Sequence, residues 1–196
     1  MFPFPPLVIG LRFWRSPDRS FISPYLENFG KRLVKSQKLY LADSGLACNL
    51  LGISSQAELE RSPFLGSLFE GFVAAEILKS QVNNAGRKEL YFFRDQQGLE
   101  VDFVLPRNDG KLWFIECKAS KTVQPRMPTS LRALSEAAGG KQERLFLVHR
   151  ASKDMPTSRA VVPGVEALDI QTFATNLAGK PRQSRRKRPS GAEVNV

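Results

Sequence analysis

Residues 100–120 read EVDFVLPRNDGKLWFIECKAS. Two runs rich in Val, Phe, Leu, Ile and Trp flank the turn-forming Arg-Asn-Asp-Gly, the pattern of a β-hairpin. Side chains alternate along a strand, so Glu116 and Lys118 share one face while Cys117, a small apolar residue here, faces the other way. A turn centred on Asn108 to Gly110 pairs positions whose numbers sum to about 218, which sets Asp102 opposite Glu116. Two carboxylates held close repel unless a proton or a cation lies between them. An all-oxygen donor set suits a hard ion, Mg2+ or Mn2+, completed by water and a phosphate. Asp102 and Glu116 are therefore candidate metal ligands, and Lys118 is the candidate for orienting or activating a bound water and stabilising charge on a phosphodiester. The competing reading is a solvated hairpin face with a cross-strand ion pair worth a few tenths of a kcal/mol.

Working outward, KLYLA alternates as a short strand, and DSGLACNLLGI reads as a helix capped by Asp43 or Ser44 and closed at Gly52. Short and long helices follow at about Gln56 to Arg61 and Leu65 to Gln81. On the longer one Leu65, Leu68, Phe69, Phe72 and Val73 form an apolar face. Glu76 falls in the middle of that face and Glu70 just past its edge, so Glu76 is the geometric choice for a third metal carboxylate. ELYFFRD is a strand whose Tyr91, Phe92 and Phe93 belong to the core. MPTSLRALSEAAGG is a helix capped by Thr129 or Ser130, ERLFLVH a buried strand, RAVVPG and VEALDI extended pieces, and QTFATNLA a last helix. Strands, then a helix, then a strand point to an α/β domain with a mixed sheet.

Several motifs, in order, carry a family resemblance: YLENFGKRLVKSQKLYLADSGLACNLLGI, GSLFEGFVAAEILKS, LYFFRDQQGLEVDFVL and IECKASKT. The chain resembles the C-terminal domain of unknown function that follows the ATPase module in a family of prokaryotic AAA+ ATPases. VDF…ECK also looks like the PD-(D/E)xK nuclease signature, with Asp102, Glu116 and Lys118 in its places. The resemblance implies a restriction-endonuclease-like mixed β-sheet flanked by helices, DNA as a partner, and an ATPase or other protein partner. In branched-DNA resolvases of that superfamily the helical glutamate follows a glycine by four residues, which implies Glu70, in GSLFE, as a metal ligand beside Glu76.

The ATPase module itself is missing: no G-x-x-x-x-G-K-[ST] occurs, and AAGGKQ at 137–142 lacks its leading glycine and its hydroxyl residue, so no ATP site is expected. Residues 1–23 form an atypical N-terminal segment, 24–178 the nuclease-like domain and 179–196 a basic tail expected to be disordered. That start reads as a truncated or degenerate gene product, or an unrelated start joined to a surviving domain.

Composition bounds the rest. The formal charge is +10, and the tail holds six basic side chains against Glu193. Arg185, Arg186, Lys187 and Arg188 there, with Lys121 after the hairpin, are the candidate nucleic-acid contacts, acting by displacing counterions. No apolar run is long enough to span a bilayer, and the N-terminal MFPFPPLVIG lacks a basic n-region, so a cytoplasmic protein with no membrane partner is expected. Cys48 and Cys117 form no CxxC pair, which argues against a structural zinc and a disulfide framework. One histidine, His149, at a strand end and without G-x-S-x-G, weighs against a Ser-His hydrolase.

Overall fold

The computed structural model describes residues 19–25, 36–140, 143–150 and 158–178. In chain order these form β1 (Arg19–Pro24), β2 (Lys38–Leu41), α1 (Ser44–Leu50), α2 (Gln56–Arg61) and α3 (Leu65–Asn83). Then come β3 (Tyr91–Arg94), β4 (Glu100–Pro106), β5 (Leu112–Lys118), α4 (Thr129–Ala137), β6 (Glu143–His149), β7 (Ser158–Val162), β8 (Val165–Asp169) and α5 (Ile170–Ala178). The strands join in one eight-stranded sheet, ordered β2-β1-β3-β4-β5-β6-β8-β7. Antiparallel pairs (β1–β2, β3–β4, β4–β5, β7–β8) occur beside parallel ones (β1–β3, β5–β6, β6–β8), so the sheet is mixed and the fold is α/β. Among the described residues no helix is long and apolar enough to cross a membrane.

The elements start and stop where local chemistry dictates. Asp43 caps α1, its Oδ1 accepting the N–H groups of Gly45 and Leu46 at 2.8 and 3.0 Å. The β4–β5 turn closes on Gly110, whose φ of 77° needs a residue without a Cβ. The helix α4 departs from expectation: Pro128 holds the cap position, and Thr129 is already helical, its hydroxyl donating to the Arg126 carbonyl at 2.6 Å. Proline suits that place, since the N–H it lacks would have had no partner within the helix. Strand β1 also revises the expected domain start at residue 24, because Arg19 to Ile22 pair with β2, and Ser23 and Pro24 pair with β3. The apolar approach and a proline at its end conceal this strand from local pattern.

Two apolar layers sandwich the sheet. Phe92, Phe103, Ile115 and Phe146 pack with Val73 and Ile77 of α3 and Phe173 of α5. Phe93, Val104, Phe114 and Leu147 pack with Leu131 and Leu134 of α4. The helix α3 is not one-sided: Phe69, Gly71, Val73, Ala74, Ala75 and Ile77 are buried, while Leu65, Leu68 and Phe72 are only partly so. It is enclosed by α1 and β2 on one flank and by β5 and α5 on the other, so a single apolar stripe does not describe it.

Candidate functional site

The hairpin has the expected register, Phe103↔Ile115, Val104↔Phe114 and Leu105↔Trp113. On its other side β4 carries a bulge against β3: Tyr91 pairs with Val104 but Phe93 with Val101. One extra residue therefore lies between Val101 and Val104, which both pack on the α4 side, while Phe103 and Leu105 pack on the α3 side. Such an insertion breaks the alternation and re-aims a side chain. Asp102 is turned toward α3, where its Oδ1 lies 3.7 Å from Lys38 Nζ, and its Oδ2 accepts the Cys117 N–H at 2.8 Å. Burial, and then the charges of Glu116 and Glu70, push its carboxyl up to about 7.

Glu116 follows the ordinary alternation of β5 with Phe114 and is 7% exposed. Its Oε1 accepts from Lys118 Nζ at 2.6 Å, whereas its Oε2 is buried with no hydrogen-bond partner among the described residues. Burial pushes the Glu116 carboxyl up, against the pull of Lys118. For Lys118 burial works the other way, but the bond to Glu116 prevails and its ammonium is held charged above the usual lysine range. Cys117, on the other face, packs against the α3-side core.

Glu70, on α3, lies beside Lys38 and Tyr40, residues that the sequence did not single out. Its Oε1 accepts from Lys38 Nζ at 2.9 Å and from the Tyr40 hydroxyl. Lys38 also meets Glu100 at 2.7 Å, and Glu100 receives a two-pronged contact from Arg94 at 2.9 and 2.7 Å. Burial opposes charge on Glu100, yet Arg94 and Lys38 hold its carboxyl below the usual range. Burial likewise opposes the Lys38 charge, and the surrounding carboxylates, Glu70 first, raise it. The period-two spacing of Lys38 with Tyr40, and of Glu100 with Asp102, was the available signal: polar side chains sharing a face in otherwise apolar strands.

Among the described residues, then, Glu70, Glu100 and Asp102 gather about Lys38, with Arg94 on Glu100, while Glu116 pairs with Lys118, four carboxylates against three cations. Burial first, and then the charges of Glu116 and Glu70, keep a proton on Asp102 to near neutrality. Among the described residues no three acidic, His or Cys side chains form a group that could hold a metal ion, while Lys38 sits among Glu70, Glu100 and Asp102. A groove of about 510 Å³ opens beside this cluster, lined by Lys38, Tyr40, Phe64, Leu68, Glu70 and Arg94 among others.

Glu76 does not join. It is part-exposed and pairs with Lys79 at 2.8 Å, since the enclosed α3 leaves its position at the border rather than beneath a core. Lys121 is exposed and tied to Glu60 at 2.9 Å, with Arg150 on the same oxygen at 3.0 Å. Arg185, Arg186, Lys187 and Arg188 lie outside the described residues, as do 1–18. His149 is buried at 2% exposure, its Nδ1 2.8 Å from the Arg150 carbonyl oxygen, remote from any nucleophile motif.

Comparison with known proteins adds a family without a function. The chain matches the family described as Domain of unknown function (DUF4143) over residues 65–172, and another described as Domain of unknown function (DUF8612) over residues 20–57. An uncharacterized protein of Mycobacterium tuberculosis and one of Mycobacterium bovis are each 34% identical to it over 141 residues, covering 72% of this chain and 30% of their own length. The chain therefore spans less than a third of the curated relatives it matches. Glu70, Glu100, Asp102, Glu116 and Lys118 fall within the first match, and Lys38 and Tyr40 within the second. The first match takes in more than half of the residues, and the chain belongs to the DUF4143 family, a domain of unknown function.

Proposed function

We propose that this chain is a divalent-metal-dependent, nuclease-like DNA-processing domain, with Glu70, Asp102 and Glu116 as the metal-binding carboxylates and Lys118 as the accompanying cation. The carrying observation is the buried Glu116 Oε2, which has no hydrogen-bond partner among the described residues. A buried carboxylate oxygen left so costs free energy that an ion would recover. The donor set fits Mg2+ or Mn2+ in kind, being all oxygen, and the surplus of one carboxylate over the cations supplies the charge deficit. A bound ion of this type supplies an activated water and neutralises charge on a phosphodiester.

The chain's own residues have separate tasks. Asp102 is anchored through Cys117 N–H, which fixes its direction at the strand end. Lys118, held charged by Glu116, presents a cation to an anionic phosphate and to charge developing on it. The PD-(D/E)xK resemblance of VDF…ECK supports this assignment, and the AAA+ resemblance supports action beside a separate ATPase or other protein. No ATP is assigned to the chain itself. The basic residues of the tail, with Lys121, are proposed to hold DNA nonspecifically.

A second reading, a catalytically silent DNA-binding or protein-interaction domain, is favoured by one observation: Lys38 already ties three of the carboxylates. The test is incubation of the purified chain with plasmid and branched DNA in Mg2+ or Mn2+, beside Asp102→Asn and Glu116→Gln. Cleavage by the native chain, lost in both variants, is expected. Salt-sensitive DNA binding without any cleavage selects the silent reading instead.

A further inference from the structure

We infer that Lys38 is a built-in cation of this site, which holds Glu70, Glu100 and Asp102 together in the metal-free protein and competes with a divalent ion for them. The inference rests on the metal reading above. Lys38 Nζ lies 2.7 Å from Glu100, 2.9 Å from Glu70 and 3.7 Å from Asp102, carboxylates from two different elements, while it stands on a third, β2. Its side chain is only 16% exposed, so the contacts are poorly screened and hold the carboxylates about one ammonium.

Formal charge makes the two cations alternatives. Among the described residues, with Lys38, Arg94 and Lys118 present, the four carboxylates exceed the cations by one. A divalent ion in place of Lys38 brings the cluster to neutrality, whereas both together overcharge it. Bringing two cations to shared carboxylates in a half-buried site costs free energy, so ion entry requires the ammonium to leave. Room exists for that movement. Lys38 lines the groove of about 510 Å³ with Tyr40, and it stands on β2, which lies at the end of the sheet order. A long, flexible lysine stem reaches such a space without moving its backbone. Tyr40 keeps its own hydrogen bond to Glu70, so that carboxylate remains oriented when the ammonium withdraws.

The test is Mn2+ binding followed by the electron paramagnetic resonance of the free ion, for the native chain, Lys38→Met and Lys38→Arg. Lys38→Met is expected to bind Mn2+ about tenfold more tightly than the native chain, and Lys38→Arg to stay near it. If the native chain binds and Lys38→Met binds equally or more weakly, the competition is refuted while the metal reading stands. If neither binds up to about 10 mM, both fall. Should Lys38→Met unfold without metal, refolding on addition of Mn2+ is the expected outcome, and failure to refold at any concentration overturns the inference.

Discussion

The carboxylate of Asp102 accepts the backbone N–H of Cys117 at 2.8 Å, across the two strands of the hairpin and just beyond the Phe103↔Ile115 end of their ladder. The side chain therefore supplies an acceptor at the end of that ladder, and its removal has a structural cost separate from any chemistry. Asp102→Ala leaves the Cys117 N–H without this acceptor, and such a loss costs about 1–3 kcal/mol. Asp102→Asn keeps an acceptor oxygen and discards the charge. Urea unfolding at neutral pH is expected to show the alanine variant clearly destabilised and the asparagine variant at least as stable as the native chain. Equal destabilisation of both would mean that the charge, not the hydrogen bond, does the holding. Loss of cleavage is accordingly to be read in the asparagine variant.

Because burial and neighbouring carboxylates raise Asp102 to about 7, the folded protein binds its proton more tightly than the unfolded chain does. The unfolded state releases that proton near pH 4 and the folded state only near 7. Stability from this group is thus fully present below pH 4, falls as pH rises between the two values, and levels off above 7, a decline of up to a few kcal/mol. Glu116, also raised, adds to the decline, while the lowered Glu100 opposes it. The clean quantity is the difference between the native chain and Asp102→Asn, followed by thermal melting from pH 4 to 8. Identical pH slopes for the two proteins would remove Asp102 from the account.

A divalent ion and the Asp102 proton compete for the same carboxylate on the metal reading. Mn2+ in the millimolar range is expected to raise the melting temperature more at pH 8 than at pH 5.5, by ligand linkage to the folded state. Glu116→Gln, which removes a charged donor from the orphaned position, is expected to abolish most of the rise. A rise that is independent of pH and survives this change would place the ion elsewhere on the molecule.

The hairpin was readable because its information is local. Asn-Asp-Gly sets the turn, alternation sets the faces, and the observed register from Phe103 to Pro106 follows. The direction of Asp102 was not readable, because the bulge arises from pairing with β3, a partner that the hairpin's own residues do not specify. Lys38 lay in a strand recognised from KLYLA, but its three partners stand on α3 and β4, and only the sheet order brings β2 to them. Strand β1, which places β2 beside the rest of the sheet, was hidden behind an apolar segment and a proline. The two helical glutamates show the same limit. A one-faced helical wheel selected Glu76, whereas α3 is enclosed on two flanks and presents Glu70 to the site.

That choice between glutamates is open to direct comparison. Glu70 is 21% exposed at its side chain and accepts from both Lys38 and Tyr40 through one oxygen. Replacing it with Gln removes the charge facing Lys38 and leaves Lys38 to Glu100 and Asp102. A charge-assisted bond of this part-buried kind is worth about 1.5–3 kcal/mol, so Glu70→Gln is expected to lower stability by that order. Glu76, paired one helical turn away with an exposed Lys79, belongs to the class of surface pairs worth a few tenths of a kcal/mol, and Glu76→Gln is expected to be nearly silent. The same two variants separate the metal roles, because only Glu70→Gln is expected to reduce the Mn2+-induced rise in melting temperature. A larger loss from Glu76→Gln in either measurement would return the third carboxylate to the position the helical wheel selected and detach Lys38 and Tyr40 from the site.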